Sequence, residues 1–190
     1  SCFYRMAMIS HSHTSKIMVT LFVEENNPLT PTFYNSFIAD LQLHQLKCPC
    51  GHSGGLSVHG YYQRFIKTFE GKLCFNICRV VCEACGKTHA LLLSSMVPYS
   101  QLSLQDHIQV IEAYEADLPT ASLLNDNEVI DESTLRYIIR NYRRHWKQRL
   151  IAHSTSITSI SVLIKQCFLA YSRQFMQIKR TLNHLFLNTT

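Results

Sequence analysis

Two short loops, Cys48-Pro49-Cys50-Gly51 and Cys82-Glu83-Ala84-Cys85-Gly86, constrain this chain more than any other part of it. In each, two cysteines share a tight turn and a glycine follows the second. Such a turn brings both sulfurs to one side, and the glycine lets the backbone fold back so that amide N–H groups can point at sulfur. Residues 51–81 between the loops are enough for a β-hairpin. Four thiolates suit tetrahedral Zn2+, so the pattern predicts a structural zinc held by Cys48, Cys50, Cys82 and Cys85. The first loop has a single intervening residue where two are usual. His52, just beyond Cys50, is therefore an alternative ligand in place of Cys48 or Cys50. A catalytic zinc would need an open position and a nearby base, and no His-Glu or Asp cluster accompanies these loops.

The chain has eight cysteines, and their grouping is metal-site syntax rather than scattered disulfide syntax. The first residues carry no secretory pattern, so a reduced, cytoplasmic setting is expected. No run approaches the roughly 20 apolar residues of a membrane span, and no membrane partner is expected. Cys74 and Cys78 read as buried free thiols on a strand, Cys2 and Cys167 as ordinary residues, and His89 as structural. An apolar content of 46% with 16% charged residues is a globular composition, and a net charge of +5 favours an anionic partner.

Residues 1–16 have no clear period and read as poorly ordered, while 16–23 form a short strand or an apolar lead-in. Thr30 caps a helix with Pro31 at its first position; it runs to about residue 46 with Phe33, Phe37 and Leu41 inward. Residues 56–69 and 72–82 read as two strands joined at Glu70-Gly71. Ser103 and Asp106 make a capping box for a helix whose inward face is Leu104, Ile108, Ile111 and Tyr114. A short helix is expected over 120–125, a long one from Asp131 to about residue 150, a linker over 153–161 and a final helix over 160–187.

The long helix is amphipathic. Leu135, Ile138, Ile139, Tyr142 and Trp146 fall on one face, and Arg136, Arg140, Arg143, Arg144 and Lys147 lie on or beside the next, with no acidic residue from Leu135 to Leu150. Its place after two shorter helices is the layout of a helix-turn-helix. Ser133, Thr134 and Arg136 would then meet base edges, and Arg140, Arg143, Arg144 and Lys147 would meet phosphate. His59, Tyr61, Tyr62, Arg64 and Lys67 interleave aromatic and basic residues on the first strand of the hairpin, as single-strand platforms do. The apolar stripe of the last helix suits packing on the chain's own core or on a partner.

The phrases HGYYQR, ICRVVC and CGKTHALLLSSMVPYSQ lie within residues 48–101. They make the chain resemble an uncharacterised bacterial family found near insertion elements, over about residues 35–150. That family looks like the zinc-finger and helix-turn-helix front end of insertion-sequence transposases without their catalytic domain. The resemblance implies Cys48, Cys50, Cys82 and Cys85 as ligands, although the familiar first knuckle is Cys-Pro-x-Cys-Gly.

The expected fold is α+β: a small zinc ribbon, made of a β-hairpin with two Cys knuckles, followed by a helix-turn-helix-like helical region. The expected segments are an N-terminal segment and helix (1–46), the ribbon (47–98), a DNA-binding region (99–152), and a linker with a C-terminal amphipathic helix (153–190). The expected function is zinc and DNA binding in transposition or its regulation, without enzymatic activity. Its expected partners are DNA and a transposase or a second copy. The alternative is a zinc-stabilised protein–protein interaction module.

Overall fold

In the computed structural model, which describes residues 4–6, 17–24, 26–119, 122–123, 130–157, 159–171, 173–178 and 184–188, the apolar run near the N-terminus is a strand. In chain order the elements are β1 (Tyr4–Met6), β2 (Ile17–Phe22), α1 (Pro31–Asp40), β3 (Leu56–Thr68), β4 (Gly71–Cys82), β5 (Thr88–Leu93), α2 (Leu104–Glu115), α3 (Glu132–His145), α4 (Lys147–Ala152), α5 (Ile160–Tyr171) and β6 (His184–Asn188). The architecture is mixed α/β. One sheet has the strand order β1-β6-β2-β5-β4-β3. β2 runs parallel to both β5 and β6, while β1 is antiparallel to β6 and β4 to β5. A strand covered on both faces must be apolar on both, and Met18, Val19, Thr20, Leu21 and Phe22 are all buried.

The chain divides into two units. The first comprises residues 1–64, 74–94 and 180–190; the second comprises 65–73 and 95–179. The expected boundary at 46/47 therefore falls inside the first unit, where β2 pairs with β5 from Ile17↔His89 to Leu21↔Leu93.

In the first unit, Thr30 caps α1 by accepting the Phe33 N–H, with Pro31 opening the helix as expected. The helix ends at Asp40 rather than near residue 46. Its buried side chain is Tyr34; Phe33 and Phe37 are half-exposed, and their rings meet at a tilt of 39°. The Tyr34 hydroxyl donates to Leu91 O and accepts the Cys78 N–H, both at 2.9 Å, and its ring meets Phe75 edge-on. One side chain thus ties α1 to β4 and β5. Cys78 is buried, but Cys74, four residues earlier on the same face of β4, is exposed, contrary to the expectation for the pair.

In the second unit, Ser103 caps α2 by accepting the Asp106 N–H, and its hydroxyl also meets the Asp106 carboxylate. Leu104, Ile108 and Ile111 are buried as expected, together with Asp106, His107 and Val110. The helix expected from Asp131 to residue 150 breaks at Trp146, whose φ of −123° departs from helical geometry and separates α3 from α4. The indole is fully buried and meets the rings of Tyr171 and Phe175 edge-on, at 5.8 and 5.4 Å. Tyr171 thus ties the end of α5 to Trp146, and Leu163, Ile164, Cys167 and Phe168 of its apolar stripe are buried.

Four further expectations change. Tyr4–Met6 is a strand, the hairpin turns at Phe69-Glu70, and the final helix ends at Tyr171, with β6 following within the stretch expected to be helical. The helix expected over 120–125 lies outside the described residues apart from Ser122 and Leu123.

Candidate metal centre and basic helix

The two cysteine loops close by similar means. Gly51 N–H donates to Cys48 O at 2.8 Å, and Gly86 N–H donates to Cys82 O at 2.8 Å. The first link spans three residues and the second four, so the shorter knuckle closes a smaller ring. Gly51 and Gly86 have φ of 96° and 66°, the region glycine enters at least cost. Cys48 N–H donates to His52 O at 2.8 Å, Cys82 N–H to Lys87 O at 3.0 Å, and Glu83 N–H crosses to Gly55 O at 2.9 Å.

These turns bring the four sulfurs within 4.8 Å of one another. The pairs run across the knuckles: Cys48 Sγ to Cys85 Sγ is 3.7 Å, and Cys50 Sγ to Cys82 Sγ is 3.7 Å. A tetrahedron with Zn–S bonds of about 2.3 Å has edges of about 3.8 Å. The donor set and its spacing therefore fit a closed tetrathiolate site. Among the described residues this is the one such cluster of metal-ligating side chains, and it does not include His52. The His52 imidazole lies instead over Gly55, where a Cβ would come within 2.6 Å of it.

Burial pushes the Cys48 thiol up, and burial likewise raises Cys85 against the Lys87 amide that favours its thiolate. For Cys50 burial acts upward, but the His52 amide and the neighbouring sulfurs hold it below the ordinary thiol value. Four sulfurs this close cannot all ionise without positive charge among them.

Sequence reasoning gave His89 no part in the site. It lies on β5, fully buried, with Nε2 3.4 Å from Cys48 Sγ and Nδ1 without a hydrogen-bond partner. Burial, helped by Lys87, holds its pKa at about 4, so the ring is neutral. A neutral ring with its proton on Nε2 donates to the sulfur, the kind of outer contact that orients a ligand. Its position three residues after Gly86, at the start of a strand, is the signal that could have found it.

The second candidate region is α3. Asp131 caps it by accepting the Thr134 N–H at 2.7 Å, and also accepts from Ser133 Oγ at 2.6 Å. Leu135, Ile138, Asn141 and Tyr142 are buried. Ser133, Arg136, Arg140, Arg143 and Arg144 are all exposed and share the opposite side, while Thr134 is half-buried. Arg136 pairs with Glu132 at 2.5 Å, both largely in solvent. Lys147 does not share this row: it begins α4 and its Nζ is 2.8 Å from Glu115 Oε1 on α2. Tyr137, not anticipated, is 50% exposed at the edge of the row, with the Arg140 guanidinium 5.8 Å from its ring centroid. On β3, His59 and Tyr61 are exposed while Tyr62, Arg64 and Lys67 are half-buried.

Residues 48–138 match the model of a family described as a domain of unknown function (DUF6431). The match spans just under half of the chain and takes in all four cysteines, Ser133 and Arg136, and ends before Arg140, Arg143 and Arg144. No curated protein and no solved structure matches the chain.

Proposed function

We propose that this protein binds DNA through α3 and that one structural zinc ion, held by Cys48, Cys50, Cys82 and Cys85, stabilises its first unit. The observation that carries the DNA reading is the solvent side of α3: Arg136, Arg140, Arg143 and Arg144 in one exposed row, with no acidic residue from Leu135 onward through the helix. Such a row suits a phosphate backbone and a major groove. α2, the short segment after it and α3 are then a helix-turn-helix-like region, with Ser133, Thr134 and Arg136 toward base edges. The resemblance to the front end of insertion-sequence transposases supports a role in transposition or its regulation, beside a transposase or a second copy of the chain. Four thiolates leave no open coordination position, so the zinc takes no part in chemistry.

Binding of the zinc-loaded protein to duplex DNA, measured by fluorescence anisotropy at several salt concentrations, tests this. Affinity should fall steeply with salt and vanish in an Arg140→Glu/Arg143→Glu variant. Binding indifferent to both would overturn it.

A second reading, a zinc-stabilised interaction module, is favoured by Val162 and Leu169 on α5, which are 46% and 63% exposed on the side of the helix opposite the buried Leu163, Ile164, Cys167 and Phe168. It predicts self-association in sedimentation that Val162→Lys/Leu169→Lys removes. A protein monomeric at all concentrations and binding no other protein would exclude it.

A further inference from the structure

The tip of the β3–β4 hairpin, residues 65–73, belongs to the same unit as α2 and α3. It is anchored at the start of α2. Lys67 N–H donates to Gln101 O at 2.5 Å, Phe69 N–H donates to Asp106 Oδ1 at 3.2 Å, and Lys67 bridges to Leu102 in parallel register. The turn also closes on itself: Thr68 Oγ1 donates to Gly71 O at 3.1 Å and accepts the Glu70 N–H at 3.2 Å. This tip is a fixed arm, not a loose loop.

One face of the arm is cationic. Residues two apart on a strand share a face, so Phe65 and Lys67 point the same way. Lys72 Nζ lies 4.1 Å from the centroid of the Phe65 ring, which is 40% exposed. The ring steadies the ammonium at the surface. Lys67 also lies within electrostatic reach of Asp131, the N-cap of α3. The Asp131 carboxyl is held down at about 2 first by the Ser133 hydroxyl and the Thr134 amide, with Lys67 adding to the same effect. α2, whose start anchors the arm, packs on α3: Tyr114 meets Tyr142 edge-on at 6.4 Å, and Glu115 meets Lys147 just beyond the end of α3.

When a helix enters a major groove, elements beside its N-terminal end come to the flanking backbone. We propose that the hairpin tip is a second DNA-binding arm, with Lys67 and Lys72 meeting phosphates of the duplex whose groove takes α3. The inference rests on the DNA-binding reading of α3. Glu70 is the one acidic residue in the arm and opposes the contact.

The test compares salt dependence of duplex binding for the zinc-loaded full chain and its variants. Each phosphate contact contributes about 0.9 to the slope of log K against log salt. Lys67→Gln/Lys72→Gln should lower that slope by about 1.8, to the same extent on unrelated duplexes, with zinc content and thermal unfolding unchanged. Glu70→Lys, which removes the opposing charge, should steepen it. If the wild-type chain binds duplex DNA through Arg140 and Arg143 but both arm variants leave the slope unaltered, the arm is refuted and α3 stands. If the wild-type chain binds no duplex, both fall. Tighter binding to single-stranded DNA that Phe65→Ala abolishes would make the arm a base-stacking platform and overturn the phosphate assignment.

Discussion

The sulfur of Cys48 lies 3.7 Å from that of Cys85, although one belongs to a knuckle with one intervening residue and the other to a knuckle with two. The smaller hydrogen-bonded ring of the first knuckle absorbs the missing residue, and both pairs reach tetrahedral spacing. The purified protein should therefore contain about one zinc per chain, and Cys85→Ser should lose it together with the fold of the first unit. Metal analysis and circular dichroism check this. Co2+ in place of zinc should give an intense thiolate charge-transfer band. A chain that folds fully in the presence of a strong chelator would refute the site.

Tyr34 should be the most sensitive single hydroxyl in the first unit. Tyr34→Phe keeps the ring on Phe75 but strands the Cys78 N–H and the Leu91 carbonyl in the interior. Loss of such partners costs about 1–3 kcal/mol. Urea unfolding should show that decrease with an unchanged m-value, and a loss of only a few tenths would mean that water replaces the hydroxyl.

Lys147 and Arg140 should behave differently despite their equal charge. The ammonium of Lys147 already has Glu115 as its counterion, whereas the Arg140 guanidinium rests on an exposed tyrosine. Arg140→Ala should weaken duplex binding roughly tenfold, on the order of 1.4 kcal/mol, and reduce its salt slope by about one. Lys147→Ala should leave DNA binding nearly unaltered. Equal losses in the two variants would contradict the division.

Acid should destabilise the second unit through His107. Its ring is buried, with Nδ1 2.6 Å from Ser103 O and Nε2 3.3 Å from Ser100 Oγ. Burial lowers its pKa from 6.5 to about 4 in the folded state, so between those values the unfolded chain binds more protons. Stability is fully present above about pH 6.5 and declines as pH falls toward 4, by up to the order of 3 kcal/mol. Asp106, raised by its burial, acts with the opposite sign at the acid end of this range. Unfolding free energy measured against pH should slope downward on acidification in the wild type and less so in His107→Gln. Parallel slopes would assign the effect elsewhere.

What was legible in the sequence was local. The caps at Thr30, Ser103 and Asp131 and the two knuckle turns depend on groups a few residues apart, and all stand where the residues put them. The apolar face of α3 was equally readable from its period. Long-range partners were not. Nothing near residues 17–22 says that they pair with both β5 and β6, because a continuous apolar strand shows burial but not its neighbours. The inward face of α1 was misplaced by one residue because Tyr34 is buried by hydrogen bonds to β4 and β5, not by its place in a stripe. Trp146 carried the right burial but hid a break, since its ring turns toward Tyr171 and Phe175, groups far along the chain. His184–Asn188 continues an apolar stretch compatible with either period, and only pairing with β2 makes it a strand. At the candidate sites the sulfurs and arginines were readable, whereas His89 and Tyr137 depended on tertiary placement.

The position of β2 in the sheet has a consequence for the timing of assembly. Met18 lies opposite Ala90 on one side and His184 on the other. During synthesis this strand emerges before β5, and far before β6, and must wait for both before its two edges are paired. Until then an apolar strand with open hydrogen-bonding edges invites association with other nascent chains. Contacts so distant in sequence also slow closure of the sheet. The turns around the four cysteines need only residues 46–87 and can form while β2 still lacks its second neighbour, so ion capture would come before the sheet is complete.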